Sequence, residues 1–280
     1  MIEFENEFIN LNQIADSGQC FRWKEIESDL ENKKFYYEVP VKEKLLNIFQ
    51  EGKKIKIDCT QNEFENFWKN YLDLNVDYKK ISSKICDDEY LQSAINFGYG
   101  IRILNQDLWE MIVSFIISQN NNIPRIKKSI EGLCKIFSNV EFSNGQKSFP
   151  SAEQIISYGN KNQVLEKLNS IGLGYRDEYI YLMCLHTKEN PNWINELKQM
   201  NYEDAFEKLI SFKGIGKKVA NCICLFGLHL INACPVDTWV QKIIDTRYNG
   251  TMPQWMQSDF AGIYQQYAFY YERYLSKIKN

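Results

Sequence analysis

The 280-residue chain is 44% hydrophobic, 14% aromatic and 25% charged, apolar enough to bury a sizeable core and too weakly charged for a disordered chain. No apolar run approaches the roughly 18–20 residues of a membrane helix, and residues 1–13 lack a basic segment followed by an apolar one, so neither membrane insertion nor secretion is expected. The net charge of 33 − 36 = −3 gives no global attraction to nucleic acid, and any such attraction must be local.

The length suggests about two domains, or one large one. In the first hundred residues, strand-like runs alternate with turns. Residues 35–41 and 54–60 are rich in β-branched and aromatic side chains, and Glu51-Gly52-Lys53 supplies a turn between strands. The spacing of Phe64, Phe67, Trp68 and Tyr71 predicts a helix over 64–74. An α+β domain on an antiparallel sheet is therefore expected over residues 1–105. From Asp107 the pattern turns helical. An apolar helix over 108–117 ends at Gln119-Asn120-Asn121-Asn122, and Asn122 suits an N-cap with Pro124 in the following turn. Asn144-Gly145 marks a turn, and Ser151 with Gln154 has the form of a capping box. Further helices are predicted over 163–169, 177–187, 192–199, 202–211, 217–229, 238–246 and 258–275. Residues 106–280 thus read as a larger, mainly α-helical domain.

The eight cysteines (Cys20, Cys59, Cys86, Cys134, Cys184, Cys222, Cys224 and Cys234) contain no C-x-x-C pair and read as free thiols in a reducing compartment. His186 and His229 stand alone, as solvated or core-edge residues. No zinc or iron–sulfur site is expected. Two local basic stretches stand out: Arg125, Lys127, Lys128 and Lys135, then Lys208, Lys213, Lys217 and Lys218.

The second stretch contains the chemistry. An apolar helix runs into Gly214-Ile215-Gly216 and directly into another helix beginning near Lys217. Glycines permit close backbone approach, and a helix N-terminus points free N–H groups and a positive dipole end outward, so a phosphate is the natural guest. Taken alone, the motif also fits a plain connection between two helices. Lys218 and Cys222 are four apart and share a helix face. Cys234-Pro235-Val236-Asp237 opens another helix, where Asp237 is a good N-cap. A lysine amine can attack a sugar C1′, and a carboxylate can stabilise the developing sugar cation.

Together, Phe212-Lys213-Gly214-Ile215-Gly216-Lys217-Lys218-Val219-Ala220 and Pro235-Val236-Asp237 resemble the helix–hairpin–helix and catalytic aspartate of the DNA glycosylase superfamily. Within it the chain resembles the 8-oxoguanine DNA glycosylase/AP lyases. Three more motifs carry that resemblance: Ser17-Gly18-Gln19-Cys20-Phe21-Arg22-Trp23, Ser118 to Arg125, and Gly172-Leu173-Gly174-Tyr175-Arg176. A further one runs from Phe260 through Gln265 to Phe269, so the likeness spans residues 17–269.

The resemblance implies a bifunctional enzyme that flips 8-oxoguanine from duplex DNA, excises it opposite cytosine and nicks the abasic strand by β-elimination. Lys218 takes the place of the Schiff-base nucleophile and Asp237 that of the aspartate beside the sugar cation. Gly18 would accept the N7–H of the lesion, Cys222 and Phe269 would sandwich the base, and Gln265 would bond its Watson–Crick edge. Asn120 would fill the vacated space, Tyr175 would wedge beside the orphan base, and Arg125 and Arg176 would read the opposite cytosine. Gly214, Gly216, Lys217 and Trp239 would meet the DNA backbone. Trp239 departs from a histidine in relatives, and Lys213 replaces a proline. No cofactor is required, although the hairpin carbonyls of Ile210, Phe212 and Ile215 can hold a structural monovalent or divalent cation in relatives. An intracellular monomer is expected, in the cytoplasm or nucleoid, or in the nucleus of a eukaryote. The alternatives are a helix–hairpin–helix glycosylase for another damaged base and a non-catalytic DNA-binding module. Lys218 argues against the first, and the joint presence of Lys218, Asp237 and Gln265 against the second.

Overall fold

The computed structural model describes residues 1–85 and 87–278; Cys86 lies outside the described residues. The chain divides into two compact units. One comprises Met1–Glu38, Asn47–Asn105 and His229–Asn280, the other Val39–Leu46 and Gln106–Leu228. A boundary at 105/106 thus recurs as a cut between units, but compactness gathers the C-terminal fifty residues with the first hundred. The reason is packing: the Ala261–Ile278 helix lies against the Glu89–Phe97 helix, where the rings of Tyr270, Tyr271 and Tyr274 surround Phe97.

Five strands form one antiparallel sheet in the order β1-β5-β4-β3-β2. They are β1 (Ile2–Glu5), β2 (Lys24–Asp29), β3 (Lys34–Val41), β4 (Lys44–Glu51) and β5 (Lys54–Ile57). Alternation sets the faces. Ile55 and Ile57 of β5 are fully buried while Lys54 and Lys56 are exposed, and Ile57 sits between Ile2 of β1 and Ile48 of β4. The second predicted strand stops at Ile57 because Thr60 and Glu63 form a capping box that starts a helix. The helix expected over 64–74 begins earlier, at Gln61, and ends at Tyr71. Its middle, Phe64–Trp68, is wound as π-helix, so Phe64, Trp68 and Tyr71 are buried and Phe67 only half so.

Within the first unit, polar side chains tie irregular segments together. The Gln50 amide donates to the Ile9 carbonyl (2.9 Å) and accepts the Leu11 N–H (2.8 Å). Arg102, 3% exposed, donates to the carbonyls of Phe8 (3.0 Å), Asp73 (2.6 Å) and Val76 (3.2 Å) and lies over the Tyr78 ring.

In the second unit the Leu108–Ile117 helix is the core, buried along all but one of its positions and packed by the Ile123–Phe137, Arg176–Glu189 and Lys217–Phe226 helices. Local signals start these helices. Asn122 accepts the Arg125 N–H with Pro124 in the first turn, and Ser151 and Gln154 form the predicted box. The helix expected over 217–229 ends at Phe226, capped by Gly227, and the one expected from 258 starts at Ala261 after a short 3-10 turn over Gln254–Gln257. Among the described residues no helix is long and apolar enough to cross a membrane.

Replacing Arg102 by Met would strand the buried Asp73 carbonyl and remove the donor from the half-buried carbonyls of Phe8 and Val76. At roughly 1–3 kcal/mol for each unsatisfied group, with partial relaxation, we expect Arg102→Met to destabilise the protein by about 3 kcal/mol or more in urea unfolding.

Candidate active site

The Tyr202–Ile210 and Lys217–Phe226 helices flank the hairpin, all within the second unit. Its two glycines do different work. Gly214 has φ +90°, and a Cβ there would come within 2.3 Å of the Tyr179 ring, so only glycine fits. Gly216 has ordinary extended geometry and open space where a Cβ would be. It stands at the N-cap with no side chain satisfying the first N–H groups of the helix, which leaves them for an external acceptor. Lys217 is exposed beside it, and Lys213 pairs with Glu178 at 3.2 Å on the surface.

Lys218 is half-buried, with its ammonium 5.6 Å from the centre of the Phe115 ring, which stacks on Phe226. It makes no ion pair or hydrogen bond among the described residues. Cys222, one turn along, is 3% exposed.

The first unit holds Gly18, Asp237, Trp239, Gln265 and Phe269. Asp237 caps the Thr238–Arg247 helix, and both bonds, from the N–H groups of Trp239 (3.0 Å) and Val240 (2.9 Å), end on Oδ1. Oδ2 takes no part in the cap. Lys242 sits 5.3 Å from the Trp239 ring. Gln265 is buried, its Oε1 accepting from Gln266, and Phe269 is half-buried under the Arg273 guanidinium, which donates to the Asp16 carbonyl at 2.7 Å. Two residues on, Gly18 has φ +80° and a carbonyl that no described donor reaches. Its neighbours fix it: Ser17 donates to the Ile14 carbonyl, and the Gln19 amide bridges Ser17, the Arg102 carbonyl and the Leu104 N–H at 2.8–2.9 Å.

The remaining group belongs to the second unit. Asn120, at φ +45°, donates to the Tyr175 hydroxyl at 3.0 Å, and both side chains are exposed. Arg125 is exposed and has only a long 3.4 Å bond to the Gly172 carbonyl. Arg176 is 5% exposed and differs sharply. It donates to the carbonyls of Gln119 twice, of Asn120 (3.2 Å) and of Leu173 (2.8 Å), which commits four of the five guanidinium N–H groups. The side chain of Gln119, given no role by the sequence reading, donates to the Gly214 carbonyl at 2.9 Å. Phe115 and Arg273 were likewise missed, since each owes its place to a contact made across the fold.

The described cysteines form no disulfide with one another, and burial pushes the Cys234 thiol up to about 12. His186 packs against Trp193 and Phe212, and burial lowers its pKa; His229 lies 3.2 Å from the Ile103 carbonyl and 3.4 Å from the Asp73 carboxylate. No three His, Cys, Asp or Glu side chains converge on a metal-sized site among the described residues.

Known proteins resemble this chain closely. A family profile described as the 8-oxoguanine DNA glycosylase N-terminal domain matches residues 1–112. The N-glycosylase/DNA lyase of Saccharomyces cerevisiae is 30% identical over 259 residues, 85% of this chain and 68% of the yeast protein. The chain belongs to the 8-oxoguanine DNA glycosylase/lyase family. A crystal structure of another such glycosylase/lyase, from Clostridium acetobutylicum with double-stranded DNA containing cytosine opposite 8-oxoG, matches at 30% identity and TM-score 0.85 over 99% of both chains. The fold extends beyond the family. The 3-methyladenine DNA-glycosylase from Archaeoglobus fulgidus shares it at 21% identity and TM-score 0.75, over 98% of this chain and 99% of that one. Fold alone therefore does not choose the lesion, and the residues of the site must.

The two hairpin glycines give a direct test in this glycosylase. Gly214→Ala should lower the melting temperature by several degrees, because Tyr179 and the backbone both resist it. Gly216→Ala should leave melting nearly unchanged yet weaken binding to duplex DNA several-fold, as a methyl group intrudes where a phosphate would approach. Loss of stability in both, with affinity unaffected, would show that the turn does not meet DNA.

Proposed function

We infer that the protein is a bifunctional DNA glycosylase that excises 8-oxoguanine from duplex DNA and then cleaves the abasic strand. The observation that carries this reading is the half-buried Lys218 amine, unpaired and held over Phe115 at the start of the hairpin's second helix. As the glycosidic bond lengthens, the sugar gains positive charge, which the Asp237 carboxylate stabilises through the oxygen left outside its helix cap. Once its ammonium has given up a proton, the Lys218 nitrogen bonds to C1′ while the base leaves with the bonding electron pair; loss of a second proton from that nitrogen and ring opening give the Schiff base. Removal of a C2′ proton then expels the 3′ phosphate and nicks the strand.

The lesion differs from guanine in carrying a proton on N7. The Gly18 carbonyl accepts that proton, whereas the N7 lone pair of guanine would face it acceptor to acceptor. Cys222 and Phe269 supply apolar contact to the flipped base, and Gln265 bonds its polar edge. Asn120 and Tyr175 occupy the gap in the duplex. Gly216, Lys217 and Trp239 contact the backbone. No cofactor takes part, because the nucleophile belongs to the chain. The hairpin carbonyls of Ile210, Phe212 and Ile215 are suited at most to a structural cation, and that of Phe212 already accepts the Ile215 N–H at 3.1 Å. The partner is genomic duplex DNA, which places the protein inside the cell, working as a monomer.

The two arginines are not equal readers of the orphan cytosine. Arg125 has nearly its whole fork free for the O2 and N3 acceptors, while Arg176 has a single N–H left. Adenine would set its N6 donor against Arg125. One opposed charged hydrogen bond costs roughly 1.5–3 kcal/mol, and we expect excision opposite cytosine to exceed that opposite adenine by about tenfold or more. Arg125→Ala should shrink this ratio more than it slows excision opposite cytosine. Single-turnover rates opposite all four bases check this, and a ratio untouched by Arg125→Ala would exclude Arg125 as the reader.

Borohydride trapping on an 8-oxoguanine:cytosine duplex tests the whole reading. The native protein should form a covalent adduct, and Lys218→Gln should form none while melting normally and still binding DNA. Asp237→Asn should lose most excision yet keep its stability, because asparagine caps a helix equally well. An adduct in Lys218→Gln would assign the nucleophile to another amine.

A further inference from the structure

We propose that Gln119 is a positioning residue that couples the hairpin's grip on the DNA backbone to the insertion of Asn120. The proposal rests on the roles of Asn120 and the hairpin under the proposed function. One residue joins three segments of the second unit. The Gln119 Nε2 donates to the Ile116 carbonyl (3.1 Å) at the end of its own helix and to the Gly214 carbonyl (2.9 Å), 95 positions along the chain. Its own carbonyl accepts two N–H groups of Arg176, one from Nε at 2.8 Å. Arg176 also donates to the Asn120 carbonyl, while its neighbour Tyr175 takes the Asn120 amide.

These bonds account for the conformation of Asn120. A φ of +45° is rare for a residue with a side chain and persists only where its surroundings enforce it. Here the backbone on both sides of that angle is pinned by Arg176, and Gln119 fixes the pinned segment to the turn that contains Gly214. The turn is also locked from the other side, because the Tyr179 ring, on the Arg176–Glu189 helix, leaves no room at Gly214 for anything but glycine. The Asn120 segment, the base of Tyr175 and the hairpin turn therefore move together or not at all.

Filling the space of an extruded base requires the inserting side chain to keep its position while the strand is held nearby, and small misplacements near a reacting group are costly. Glutamine suits this coupling because one neutral nitrogen supplies both donors. Leucine at this position would keep the volume and lose both donors. Glu178–Lys213 also spans the Arg176–Glu189 helix and the hairpin, but it is an exposed ion pair and holds nothing in register.

The test compares two substrates in one protein. Gln119→Leu should slow single-turnover excision from an 8-oxoguanine:cytosine duplex by about tenfold, the loss expected when the two bonds of one side chain disappear. The fluorescence rise of a 2-aminopurine placed beside the lesion, which reports unstacking, should slow in step. Cleavage of a preformed abasic site, where no base has to be unstacked, should stay close to native, as should affinity for undamaged duplex. Gln119→Asn, one methylene too short to reach both carbonyls, should show the same split to a smaller degree and carries the comparison if the leucine variant fails to fold. Unchanged excision, or equal slowing on both substrates, would overturn the coupling. Absence of excision by the native protein would instead overturn the enzymatic reading, and the coupling with it, before any variant is compared.

Discussion

Each compact unit is organised around a buried arginine that donates to backbone carbonyls rather than to a carboxylate. Arg102 serves Phe8, Asp73 and Val76; Arg176 serves Gln119, Asn120 and Leu173. Chain leaving a helix or strand exposes carbonyls that have no regular partner, and burying one without a donor is costly. A planar guanidinium with five N–H groups can satisfy several from one point. Both arginines adjoin segments that carry candidate site residues. The carbonyl of Arg102 accepts from Gln19, beside Gly18, and Arg176 holds the backbone of Asn120. The Asn120 segment is thus held by a guanidinium group, and the Gly18 segment by the Gln19 amide.

The same economy recurs at single residues. Asp237 uses one oxygen to start a helix and leaves the other outside the cap, so the fold fixes the carboxylate without consuming it. The hairpin divides its needs between two glycines, one demanded by the protein's own packing and one facing open space. At Gly214 the protein's own packing excludes a side chain, whereas at Gly216 nothing within the chain does.

How far the sequence reveals all this depends on the range of the interactions. Helices in the second half were legible because their starts are local: Asn122 with Pro124, Ser151 with Gln154 and Asp237 each bond within three residues. The sheet was harder. β2 has four charged residues among six and pairs through its backbone, leaving no alternation to read, and the apolar run in β4 fits a helix as well as a strand. The candidate site residues were singled out through motifs in one order along the chain. Their inequality was not. That Arg176 is consumed by the fold while Arg125 is free depends on bonds spanning 57 residues, and the link from Gln119 to the hairpin spans 95.

The charged character of β2 has a consequence for the behaviour of the molecule among its own kind. A sheet of five strands ends in two rows of unpaired backbone groups, which any extended chain could extend. At one end β2 is broken by a register shift between Glu25 and Glu27 and lined with exposed charge. At the other, β1 presents Glu3 and Glu5, paired with Lys56 and Lys53. A strand arriving at either margin would have to strip water from these groups with nothing to replace it. Charge at both margins of the sheet thus guards against edge-to-edge pairing between copies.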